Sequence, residues 1–180
     1  MSAVPRLEVD QVLDLVNHYA RRARTAAGDE DKGFRPLGEV LGATAGNVPE
    51  LDEATLHALA DEAYEVFVKA HGGDDVGPVL NEMLARSAPT PRLADDGSVA
   101  WEAAGGDNVL RAALAVPLLN WLHTRGADRL GLCEGIDCAD AFVDASSAGR
   151  RKYCSSTCLN RHKVAAYRRR AAEQGSKAGR

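Results

Sequence analysis

Cys133, Cys138, Cys154 and Cys158 are the only cysteines in a chain of 180 residues. They are spaced C-x4-C, then fifteen residues, then C-x3-C. Two close pairs separated by one hairpin of chain can present four thiolates to a single tetrahedral Zn²⁺. Four sulfurs with no labile ligand imply a closed, structural site rather than a catalytic one. An iron–sulfur cluster and redox-active thiols are the alternatives for the same spacing. The N-terminus lacks a basic segment followed by an apolar core, so a cytoplasmic location is expected, where thiols stay reduced and bind metal rather than pair. No apolar run approaches the roughly 18 to 20 residues of a membrane span.

Basic residues surround the second cysteine pair. Arg150, Arg151 and Lys152 precede it, and Asn160, Arg161, Lys163, Arg168, Arg169 and Arg170 follow. Arg and Asn suit bidentate contacts to base edges, and Lys suits phosphate. Residues 1–128 carry 11 Lys and Arg against 21 Asp and Glu, a net −10, whereas residues 129–180 carry 11 against 5, a net +6. This asymmetry places nucleic-acid contact at the C-terminal end, since phosphate repels the acidic remainder. The bland alternative is a solvated basic tail. Asn160 and Arg161, next to the last cysteine, have a second reading as donors that brace the metal site.

The surrounding elements follow from periodicity and punctuation. Apolar residues from Leu7 to Tyr19 step as in a helix reaching Ala26, and a short helix is expected over Pro36–Thr44. Asp52 reads as the N-cap of a helix ended by His71-Gly72-Gly73, and another helix starts at Asp74 or Asp75. Asp95-Asp96-Gly97 marks a β-hairpin turn. Asp107 is expected to cap a long helix, kinked at Pro117 and ended by Gly126. In the cysteine segment, Ala141–Val143 is expected to pair with a strand over Arg150–Tyr153. Ser155 is placed to cap a helix over Ser156–Ala172, with Cys158 in its first turn, and residues 173–180 are expected to fray. Val164 and Tyr167 are expected to pack back on the hairpin. The histidines have no metal-ligand spacing, and neither a nucleophile elbow nor a P-loop occurs, so no enzymatic activity is expected. The fold class is mainly α: a helical domain with one hairpin over 1–128, then a treble-clef-like zinc module over 129–172.

The stretch Arg129–Arg170 resembles the CGNR zinc finger of bacterial transcription regulators. The matching positions are Cys133, Cys138, Phe142, Asp144, Ser146, Arg150, Arg151, Cys154, Cys158, Asn160, Arg161 and Lys163. Leu159 replaces the family glycine, and the last cysteine pair is spaced x3 rather than x4. Residues 1–128 resemble the helical domain called ABATE through Leu13-Asp14-Leu15-Val16-Asn17. The resemblance implies a bacterial DNA-binding transcription regulator with one structural Zn²⁺. By analogy, its N-terminal domain would sense a small-molecule effector or form a homodimer. The alternative function is a finger that contacts protein or RNA without sequence-specific DNA binding.

Overall fold

A computed structural model describes residues 1–178 of the chain. The body contains helices α1 (Val9–Tyr19), α2 (Arg21–Ala27), α3 (Leu37–Leu41), α4 (Glu53–Gly72), α5 (Gly77–Ser87) and α6 (Asp107–Arg125). The first expected helix breaks at Ala20, which turns to an extended ψ of 127°. The Arg21 N–H there donates to the Asp61 carboxylate instead of to the preceding turn. Asp52 caps α4 through the Thr55 N–H at 2.7 Å. The next helix starts at Gly77, later than the expected Asp74 or Asp75, with Asp75 accepting from the Gly77 N–H. The N-cap of α6 is Gly106, because Asp107 is already the first helical residue and pairs with Arg111 one turn on. α6 runs on through Pro117.

Strands β2 (Thr90–Leu93) and β3 (Val99–Ala103) form the hairpin around Asp95-Asp96-Gly97. A further strand, β1 (Ser2–Ala3), pairs antiparallel with the other side of β3. β2 is therefore an edge strand, where Pro91 removes no needed donor.

The cysteine segment begins with a 3₁₀ turn and then β4 (Leu130–Leu132), paired antiparallel with β5 (Ala141–Val143). Residues 150–153 form no strand, which corrects the expected pairing. The register sets Gly131 opposite Phe142. A Cβ on Gly131 would lie 2.7 Å from the ring's Cζ, so the ring occupies the space a side chain would take. Alternation along the two strands sends Leu130, Leu132, Ala141 and Val143 into the main hydrophobic core beside residues of α1, α4 and α6. The division at 128 and 129 thus separates charge but not packing.

Helix α7 (Ser156–Ala178) is the last element among the described residues. The expected fraying from Glu173 is not observed as far as Ala178, and the last two residues of that stretch lie outside the described region. No described helix is long and apolar enough to cross a membrane.

Candidate metal centre and basic helix

Cys133 follows β4 directly, and Cys138 lies three residues before β5. Cys154 precedes α7, and Cys158 sits in its first turn. Their four Sγ atoms all lie within 4.8 Å of one another. Cys138 and Cys154 are 3.7 Å apart, and Cys154 and Cys158 are 3.6 Å apart. A tetrahedral ZnS₄ site with bonds of about 2.3 Å has edges of about 3.8 Å, so this spacing fits one ion. A disulfide needs about 2.05 Å, and all four cysteines are free. A multi-iron cluster would hold its sulfurs on separate metal atoms and spread them further apart.

The surrounding backbone is shaped for sulfur. Gly135 N–H and Cys154 N–H both point at Cys133 Sγ, at 3.4 and 3.3 Å. A Cβ at Gly135 would meet both Cys133 Sγ and Cys158 Cβ at 3.1 Å, so this loop position leaves little room for a side chain. The Ser155 hydroxyl accepts from Cys158 N–H at 3.3 Å, as expected for the helix cap.

Electrostatics calls for a cation here. Burial, with the nearby Asp140 carboxylate, pushes the Cys138 thiol up to about 12. Burial likewise drives Cys154 well above its ordinary value, helped by its contact with Cys158 and by Asp140. For Cys158 burial also opposes ionisation, but hydrogen bonds from Ser155 and the neighbouring thiols outweigh it and lower the pKa. The positive end of α7 acts in the same direction. Ligating sulfurs must be deprotonated, and a bound dication supplies the charge that makes this favourable. Zn²⁺ bound to these four cysteines would fix the loop, the hairpin and the start of α7 to one another.

The basic residues divide into two sets. Arg151 is committed to the fold: Nε donates to Tyr153 O at 2.8 Å, Nη1 to Val143 O at 3.1 Å and Nη2 to Cys154 O, while its guanidinium lies over the Phe142 ring. Lys152 pairs with Glu134 at 3.2 Å. Arg161 reaches back from α7 to Ile136 O at 2.9 Å, bracing the first cysteine loop. Arg150, Asn160, Lys163, Arg168 and Arg169 are exposed and bond to no other described residue.

Each residue of α7 advances about 100° around the helix. Asn160, Val164 and Tyr167 therefore lie near the centre of one face, flanked by Lys163 on one side and Arg168 on the other. Leu159, His162, Ala165 and Ala166, all partly buried, lie on the opposite side. This overturns the packing expected of Val164 and Tyr167, which are 50% and 69% exposed. His162 takes the inward position instead, against the Tyr153 ring at 5.2 Å. Arg169 lies about 180° from Asn160 and so does not share that face.

Several site-supporting residues carry little sequence signal. Asp144 accepts from Ser146 N–H at 2.9 Å and from Arg151 N–H at 2.8 Å, closing the turn after β5. The Ser146 hydroxyl and the Arg151 N–H together hold its pKa down at about 2. From the body, Asn17 exchanges two hydrogen bonds with the Ala141 backbone, and Tyr64 OH donates to Ala139 O at 2.6 Å. Burial pushes the Tyr64 hydroxyl up to about 12, so it remains a donor.

Residues 129–171 match the model of the CGNR zinc finger family. No curated protein matches the chain.

Proposed function

We propose that this CGNR-type zinc finger binds DNA and that the chain is a cytoplasmic bacterial transcription regulator, a binding protein rather than an enzyme. The observation that carries this reading is the outer face of α7. Asn160 lies at its centre, a side chain suited to adenine, with apolar Val164 and Tyr167 beside it and cations at both margins. Lys163 and Arg168 are placed to meet phosphates on either side of a groove, and Arg150 adds a cation from the turn before Cys154. Arg161, Arg151 and Lys152 serve chiefly to hold the finger in shape.

Salt-dependent binding is the expected signature. Zinc-loaded protein should shift duplex DNA at low salt, with affinity falling steeply as salt rises. Asn160→Ala should weaken selected sites more than random ones, whereas Lys163→Ala should weaken both alike. The helical body, with its ABATE-like Leu13–Asn17 segment, is the natural place for effector sensing or assembly.

The exposure of Val164 and Tyr167 on the same face favours a second reading, in which α7 docks against a protein. Binding to DNA that is unchanged by Tyr167→Ala and Val164→Ala but weakened by Lys163→Ala would separate the two.

A further inference from the structure

The N-terminal body holds a cavity of about 1000 Å³ remote in composition from the cysteine site. It lies among the segment before α1, strand β3 and the C-terminal half of α6. Trp101 and Trp121 both line it, together with Pro5, Pro117 and Leu119. They are the only two tryptophans in the chain. Leu119 is 41% exposed, an apolar side chain left open on a concave surface rather than on a convex one. Trp121 Nε1 is buried behind that wall, the one buried side-chain polar atom without a hydrogen-bond partner among the described residues. The volume is at the upper end of small-molecule sites, which combine aromatic walls with a few polar groups.

The charge at the rim runs against that of the body. Residues 1–128 hold nearly twice as many acids as bases, 21 against 11. Around the cavity the balance reverses: Arg6 and Arg125 line it with a single carboxylate, Glu8. Glu8 is already 4.0 Å from Arg6. Arg125 pairs with no carboxylate among the described residues, and its guanidinium lies 6.0 Å from the centre of the Trp121 ring. An aromatic wall beside an unneutralised guanidinium is complementary to a flat apolar acid.

The geometry points to this cavity as a binding site for an aromatic carboxylic acid, its ring against the tryptophan and proline walls and its carboxylate toward Arg125. The site stands independently of DNA binding, but its position suits an effector. Arg125 is the last residue of α6, and the chain from there runs through one 3₁₀ turn into β4 and Cys133.

The test uses the full zinc-loaded chain with two probes, 1-naphthoate and the neutral 1-naphthalenemethanol, titrated by calorimetry. Naphthoate should bind at least tenfold more tightly than the alcohol. Arg125→Gln should abolish that preference while leaving the alcohol's affinity unchanged, and Arg169→Gln, on the distant helix, should preserve it. Equal affinity for the two probes, absence of binding by both, or a preference that survives in Arg125→Gln would overturn the assignment. None of these outcomes depends on whether the finger binds DNA.

Discussion

Asn17 and Ala141 are joined by a pair of hydrogen bonds that extends a β-sheet with a side chain. Asn17 Nδ2 donates to Ala141 O at 3.0 Å, and Ala141 N–H donates to Asn17 Oδ1 at 2.7 Å. The amide thus occupies the place of a neighbouring strand on the free edge of β5, and it belongs to a helix of the body. Tyr64 and His71 of α4 make two further links, to Ala139 O and from the Leu132 N–H. The finger is therefore fastened to the body through its backbone as well as through shared apolar packing.

Replacing Asn17 by Ala should leave both polar groups of buried Ala141 unpaired. Each such group costs about 1–3 kcal/mol. The expected loss of stability is about 2–4 kcal/mol, read as a lower denaturant midpoint with an unchanged slope. A variant within about 0.5 kcal/mol of the parent would show that the clamp carries no energy.

Removing zinc should disturb more than the finger. Leu130, Leu132, Ala141 and Val143 are part of the common core, so a chelator should lower the melting temperature of the whole chain as well as helix content from α7. Loss of α7 signal with an unshifted melt of the remainder would mean that body and finger fold separately.

Arg161→Ala should speed zinc transfer to a competing chelator by roughly tenfold or more, because residues that orient ligands commonly carry such effects. The hydrogen bond to Ile136 O braces the loop between Cys133 and Cys138. Arg161→Lys should retain zinc better than Arg161→Ala, since an ammonium can still donate one hydrogen bond to the Ile136 carbonyl. Zinc retention equal to the parent in both variants would free Arg161 for a purely external role.

Asp144 makes stability depend on pH. Its folded pKa, about 2, lies below the ordinary carboxylate value, so its contribution is complete above that ordinary value and declines as pH falls toward 2. Asp144→Asn should be less stable than the parent at pH 7, and the gap should narrow as the pH is lowered from about 5 toward 2. Parallel curves for the two proteins would contradict the assigned role.

The parts of this fold that rest on local chemistry are legible in the sequence. Cysteine spacing, the Ser155 and Asp52 caps and the Asp-Gly hairpin each depend on a few neighbouring residues. What escapes sequence reading depends on distant partners. Ala141–Val143 could pair on either side, and the choice of Leu130–Leu132 follows from the apolar alternation that feeds both strands into the body's core. The outward turn of Val164 and Tyr167 follows from the helix phase that Cys158 and His162 impose on α7. Arg151 and Arg161 resemble free cations in sequence, and only the folded loops reveal the carbonyls that engage them. Asn17 stands 124 residues from the strand edge it completes.

The central claim is that the outer face of α7 contacts DNA, and the salt dependence of binding tests it most directly. Zinc-loaded protein titrated with duplex DNA over a range of salt should give log affinity falling linearly with log salt. Lys163→Ala and Arg168→Ala should each make that slope shallower by about one. Absence of DNA affinity at low salt, or a slope indifferent to both substitutions, would contradict the account.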